Sequence, residues 1–259
     1  MRDLTAIVLT FNERENIARA LAALTWVERV LVVDSFSTDE TCELARRYSN
    51  VEIVQRAFDT HTAQWNFALG QANTDWVLTL DADYEVSTAL AGEIAAVEPG
   101  PNVAGFMARF EFRIFGHTLH ASVYPPRAVL FRRSRACYRQ DGHTQLLHTD
   151  GPVQMLQGVI YHDDRKPLSR WIGSQDQYVK LEAAHLLSTS DQALSKQDRV
   201  RKRIYFAAPV MFLYLLLGRG LLFGGWPAWY YVAQRTLAEL LLSLRLLTER
   251  HRLEETRSS

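Results

Sequence analysis

Short, almost wholly apolar runs separated by stretches of helical period fill the first hundred residues. Leu4 to Leu9, Val30 to Val33, Val51 to Val54 and Trp76 to Leu80 read as strands buried on both faces. Ile17, Leu21 and Leu24 fall at helical spacing and predict a helix from Asn12 to Leu24. Ser37, Thr38, Asp39 and Glu40 have the form of a capping box that opens a second helix, and a third is expected from about Thr62 to Gln71. Strands alternating with helices argue for βαβ units and a mainly parallel sheet. From Val103 the pattern turns to longer β-rich segments, Gly105 to Phe115, Ala128 to Phe131 and Met155 to Tyr161, which extend the sheet and build an acceptor side. Ser169 to Leu187 then reads as a helix with Trp171, Tyr178, Leu181 and Leu186 among polar residues.

Beyond it the texture changes. Ile204 to Leu217 is an apolar run of 14 residues, broken from a second run, Leu221 to Ala233, by Gly218, Arg219 and Gly220. Neither run reaches the ~20 residues that a spanning helix needs. Arg199, Arg201, Lys202 and Arg203 precede the first run, and Trp226, Trp229, Tyr230 and Tyr231 lie within the second. Basic flanks and aromatic belts suit an element embedded in a membrane interface. The plain alternative is that these helices pack on the rest of the protein or form a homodimer seam, so homo-oligomerisation stays open.

The composition, 47% hydrophobic and 22% charged over 259 residues, excludes a disordered or fibrous chain. The length suits a catalytic domain over residues 1–190 with a tail over 191–259. Net charge is zero, yet residues 196–259 hold 11 Lys/Arg against 5 Asp/Glu, so the tail carries +6 and the remainder −6. A basic, apolar tail is what an anionic membrane surface attracts, whereas a nucleic-acid partner would call for a basic body as well. Two distant cysteines, Cys42 and Cys137, and no secretory signal point to a reduced compartment, with the catalytic part in the cytoplasm.

Polar residues gather where the strands end: Thr10, Asn12 and Glu13, then Asp34 and Ser35, then Asp81 and Asp83. In an open parallel sheet these ends converge on one crevice. Asp81-Ala82-Asp83 offers two carboxylates to a hard divalent cation, Mg²⁺ or Mn²⁺, with positions left for phosphate oxygens; without the other two clusters the pair would read better as two solvated turn aspartates. Asp34 can accept from the imide N–H of uracil, or simply serve the turn. Backbone N–H groups at the helix expected from Asn12 suit a diphosphate, with Glu13 on ribose or a cation. Arg127, Arg132 and Arg133 are candidates for donor phosphates or an anionic acceptor, the alternative being the wet face of a strand.

Thr10-Phe11-Asn12-Glu13, the run Val33 to Thr41, Gln64-Trp65-Asn66-Phe67-Ala68-Leu69 and Leu80-Asp81-Ala82-Asp83 are four ordered motifs within about 80 residues. Together they resemble the inverting family 2 glycosyltransferases, with their A-type nucleotide-sugar fold. Tyr124-Pro125-Pro126-Arg127, Leu130 to Arg133, Tyr161-His162-Asp163 and Gly218 to Gly225 resemble the branch that builds lipopolysaccharide core and related envelope glycans. The resemblance implies an α/β Rossmann-like mixed sheet in which Thr10, Asn12, Glu13, Asp34 and Asn66 serve the nucleotide sugar. It puts Asp81 near ribose or metal, Asp83 on the metal, and His162 near metal or diphosphate. It also implies hexose transfer from a nucleotide sugar such as a UDP-sugar, with inversion, to a hydroxyl of a lipid-linked or envelope saccharide. The family's base is a Glu directly after a His; here Thr144 follows His143, so Asp141 is the first candidate and His143 the second. That departure keeps a catalytically silent nucleotide-sugar-binding adaptor as the alternative. A nucleotidyltransferase would carry a glycine-rich basic loop after the first strand, and Thr10 to Glu13 has none.

Overall fold

A computed structural model of the chain describes every residue except Arg2, Gly142, His143 and Ser259. The strands β1 (Leu4–Thr10), β2 (Arg29–Asp34), β3 (Val51–Gln55) and β4 (Trp76–Asp81) run parallel in the order β3-β2-β1-β4. They alternate with α1 (Ile17–Ala22), α2 (Thr41–Ala45) and α3 (His61–Gln71). Central β1 shows why its sequence is apolar throughout. Ala6 and Val8 pack into a core with Ile17, Leu21 and Leu24, while Ile7 faces the opposite core with Trp65, Ala68 and Leu69 of α3. Covering both faces removes the apolar–polar alternation.

There follow β5 (Tyr84–Val86), α4 (Thr88–Ala96), β6 (Gly105–Ile114), β7 (His117–Thr118), β8 (Arg127–Arg132), β9 (Ala136–Asp141), β10 (Thr144–Thr149) and β11 (Val153–His162). Among the described residues nine strands form one sheet, ordered β3-β2-β1-β4-β8-β6-β11-β5, with β7 on β6. The sheet is mixed: β8 is antiparallel to both β4 and β6, β11 is parallel to β6, and β5 is antiparallel to β11. These directions put the ends of β1, β2, β4 and β11 and the starts of β8 and β5 at one edge. β9 and β10 make a separate antiparallel hairpin absent from the sequence expectation.

Two local expectations are corrected. The first helix begins at Ile17, not near Asn12. The Ser37–Glu40 capping box does not form; α2 starts at Thr41 with no side-chain cap, because Ser37 is engaged with Asp34.

Contacts divide the chain into two compact units, Met1–Thr118 with Val123–Lys166, and Leu119–Ser122 with Pro167–Ser259. The second contains α5 (Leu168–Ser188), α6 (Lys196–Lys202), α7 (Ala207–Leu213) and α8 (Gly225–Ser258). Helix α5, which the expected 190/191 boundary assigns to the catalytic side, clusters with the tail. Val179, Ala183 and Leu186 of α5 share a core with Ile204, Leu242 and Leu246. Arg201 is bound to Glu239 at 2.6 Å and Glu182 at 3.2 Å beside it. No described helix is long and apolar enough to cross a membrane.

Helix α4 lies so close on β11 that a Cβ at Gly158 would stand 2.5–2.6 Å from the backbone and Cβ of Leu90. Gly158→Ala is therefore expected to lower stability by about 1–3 kcal/mol through overpacking. A denaturant midpoint equal to the parent's would show that α4 moves aside freely.

Candidate functional site

The crevice starts from a carboxylate that the sequence buries. Asp34 ends β2 with no exposed surface, and a buried charge is tolerated only when hydrogen-bonded. Its oxygens accept from Thr10 Oγ1 at 3.0 Å, the Ser37 amide at 2.9 Å, Ser37 Oγ at 2.5 Å and Gln55 Nε2 at 3.1 Å. Burial works to raise its pKa, but the donors from Ser37, Gln55 and Thr10 hold it below the ordinary aspartate value. Ser37 Oγ also accepts from the Asn12 amide at 2.7 Å, and Asn12 Oδ1 accepts from the Thr38 amide at 2.7 Å. The Glu13 amide donates to Thr41 Oγ1 at 2.6 Å. The loops after β1 and β2 are thus stitched together, with Asn12 and Phe36 in the left-handed region at φ 54° and 60°. Phe11 and Phe36 stand exposed on these two loops.

Across the edge lies a cluster of opposite charges. His162 Nε2, at the end of β11, is 3.2 Å from Asp83 Oδ2, and the Asp163 amide donates to the Asp83 carbonyl at 3.1 Å. Burial pushes Asp83 up, yet His162 and Lys166 hold it at about 2. Asp81 moves the other way: burial and then the Asp83 charge raise it, and Tyr84 donates a hydrogen bond to it. Tyr84 hydrogen-bonds Tyr124, whose hydroxyl burial pushes up to about 12 and whose ring carries the Arg127 guanidinium 4.4 Å from its centroid. The Lys166 ammonium is 2.6 Å from Glu13 Oε1 and 3.6 Å from Asp164 Oδ1. Burial and the Asp83 charge push Glu13 up to about 7, against the pull of Lys166.

Thr10, Glu13, Asp34, Asp81, Asp83, Arg127 and His162 accordingly meet at the expected edge. Asn12 and Asp34 have their oxygens engaged in the loops and shape the crevice. Arg132 is not brought there. It pairs with Trp76 at the opposite end of β4, bound to Asp75 and the Val103 carbonyl and stacked over Trp76. That is five residues, about 17 Å of strand, from Asp81. Asn66 is corrected as well: its amide grips the Tyr138 backbone at 2.9 and 3.0 Å, fixing β9 to α3. Asp141 ends β9 with its side chain outside the described residues, as is all of His143. Sequence reasoning missed Lys166 and Tyr84, and gave Gln64 a place in a motif but no role. Buried Gln64 donates to Ser35 Oγ at 3.1 Å and accepts from Arg56. The run His162 to Lys166, five ionisable residues after a strand, was the available signal for Lys166.

Among the described residues no three His, Cys, Asp or Glu side chains gather into a ready-made metal cage. The edge supplies instead two half-buried carboxylates, one raised by the charge of the other, beside an imidazole whose Nδ1 is buried without a partner. Such a donor set fits a Mg²⁺ or Mn²⁺ ion that takes one or two protein oxygens and completes its shell with water and phosphate.

The profile of the family described as Glycosyl transferase family 2 matches residues 5–142. An uncharacterized glycosyltransferase of Rickettsia prowazekii is 31% identical over 205 residues, covering 72% of this chain and 69% of that one. The lipopolysaccharide core biosynthesis glycosyltransferase LpsC of Rhizobium meliloti is 24% identical over 228 residues, covering 84% and 82%. Matches to other Rickettsia glycosyltransferases span less than half of those chains, 47% in Rickettsia felis. Among solved structures, S. aureus TarS 1-349 in complex with UDP-GlcNAc superposes with a TM-score of 0.51 at 15% identity, covering 97% of this chain and 92% of that one. The likeness is one of fold, a mixed α/β glycosyltransferase architecture.

Asp34→Asn is expected to cost about 1–3 kcal/mol at neutral pH, because buried donors lose a charged acceptor. Asp34 is more acidic folded than unfolded, so its contribution is present above the ordinary value of 3.8 and fades as pH falls through the lower folded value. The gap between variant and parent should therefore narrow below about pH 4 in acid denaturation. A gap unchanged down to pH 2 would contradict a charged latch.

Proposed function

The chain belongs to glycosyl transferase family 2, and from that premise we propose that it moves a hexose from a UDP-sugar, with inversion, to a hydroxyl of a lipid-linked envelope saccharide. The observation that carries the reading is the crevice at the strand ends, where Asp83 meets His162 and Asp81 lies in the field of Asp83. The donor class is the one bound in the staphylococcal structure, and the acceptor class is the one named for the Rhizobium relative.

Exposed Phe11 and Phe36 offer a base two aromatic surfaces on loops whose shape Asp34 and Asn12 fix. A bound Mg²⁺ or Mn²⁺ would neutralise the departing diphosphate. Asp83 and Asp81 would hold it, with His162 orienting Asp83. Lys166, drawn towards Asp83 and Glu13, adds a fixed positive charge on the same side. As the acceptor oxygen bonds to the anomeric carbon, the bond to the diphosphate oxygen breaks and the hydroxyl proton passes to a base. Asp141 is our choice for that base and His143 the second. The course of β9 supports it: Tyr138 Oη is 3.1 Å from Thr79 Oγ1, and two residues on Gln140 Oε1 accepts from Thr62 at 2.9 Å in the first turn of α3. His61, which precedes Thr62, acts on the Asp81 charge.

Release of UDP from a panel of UDP-sugars with Mn²⁺ and membrane extract tests this. Asp83→Ala is expected to lower kcat/KM by about 100-fold or more, the scale on which charge stabilisation is lost. Asp141→Ala should abolish turnover while UDP binding, measured by calorimetry, persists. Turnover surviving Asp141→Ala would move the base to His143, and UDP binding without turnover of any donor would sink the transferase reading.

A further inference from the structure

The helical run 205–217, α7 with the turn that follows it, exposes its side chains in groups four residues apart. Tyr205 and Phe206, then Val210, then Leu213 and Tyr214, then Leu217 point outward. Ala207, Ala208, Leu215 and Leu216 are buried on the other side. A helix on a water-facing surface carries polar residues outward; here every one of the six is apolar or aromatic, with Tyr205 73% and Leu217 67% exposed. Phe223, in the next turn, is 93% exposed. The presentation is built in: Ile204, just before the run, holds φ 62°, a costly conformation for a β-branched residue, with its carbonyl accepting from Ser243 at 2.8 Å.

Charge decides what covers this face. From Arg199 to Ala238 the chain has no Asp or Glu and six Lys/Arg, of which Arg201 pairs its charge with Glu182 and Glu239 and Lys202 with Asp191. Exposed Arg199, Arg203 and Arg219 flank the apolar residues. Two copies would bring like charges together, whereas anionic headgroups match them. A seven-residue helix is about 10 Å long, too short to cross, and no described helix is long and apolar enough to do so.

We propose that this face docks on an anionic lipid surface, with Tyr205, Phe206, Leu213, Leu217 and Phe223 immersed at headgroup depth and the arginines on lipid phosphates. The proposal stands apart from the glycosyl-transfer reading. Flotation of the full chain with phosphatidylglycerol–phosphatidylethanolamine vesicles tests it, with phosphatidylcholine vesicles alongside. The parent should float with the anionic vesicles and bind phosphatidylcholine about tenfold less. Leu217→Ser/Phe223→Ser should weaken vesicle binding about tenfold or more with an unchanged unfolding midpoint, since both side chains are exposed. Arg199→Ala/Arg203→Ala should lose the preference for anionic lipid. Equal flotation of parent and Leu217→Ser/Phe223→Ser overturns the proposal. So does a dimer of the parent that the same substitutions dissolve while neither protein floats, because a second copy would then be the occupant.

Discussion

A carboxylate with no access to water must be given donors, and in this protein the donors of Asp34 determine the shape of the crevice. Thr10 reaches it from β1, Gln55 from β3 and Ser37 from the loop beyond, so one charge ties three strand ends together. Ser37 is then committed, and Asn12 closes on it and on the Thr38 amide. The left-handed turns at Asn12 and Phe36 follow, since each loop must double back to meet the other. Non-glycine residues adopt such turns only where their surroundings repay the cost, and the stitched loops do so while leaving two phenylalanine rings in solvent.

The other half of the crevice rests on a balance of like and unlike charge. Asp81 and Asp83 lie within each other's field, and the balance falls differently on the two: His162 and Lys166 hold Asp83 ionised, while the His61 charge, the Tyr84 hydroxyl and the Arg127 charge do not offset burial and the Asp83 charge at Asp81. An edge arranged in this way compensates the charge of Asp83 more fully than that of Asp81. A divalent cation arriving with a diphosphate would relieve that asymmetry, and a pair of carboxylates suits such an ion because water and phosphate oxygens can complete its shell.

The parallel core was legible because strands covered on both faces become unbroken apolar runs, and β1, β2 and β4 differ from expectation only at their ends. The crevice was legible to the extent that strand ends converge by topology. Sequence could not tell which polar side chains would be spent on the fold. Ser37 fits a capping box equally well, Asn66 stands inside a motif, and Arg127 and Arg132 lie at the two ends of one strand. Only the antiparallel direction of β8 sends Arg127 to the crevice and Arg132 to the far end. Lys166 escaped notice because its partner Glu13 is 153 residues away, and no local pattern encodes a contact of that range.

The tail presents the reverse problem. Its apolar content was plain, but hydropathy alone cannot separate a core helix from one that faces outward, since both read as apolar all round. The distinction lies in which residues find partners. Ala207 and Ala208 are buried, while Tyr205, Phe206, Val210 and Leu213 around them are exposed. The inner face of the run is filled by Ala207, Ala208, Leu215 and Leu216, and the remaining large residues form the exposed apolar surface. The Arg201 ion pairs with Glu182 and Glu239 act in the same direction. They hold α6 against α5 and α8 through buried charge, so the unit closes without drawing on the aromatic residues that follow.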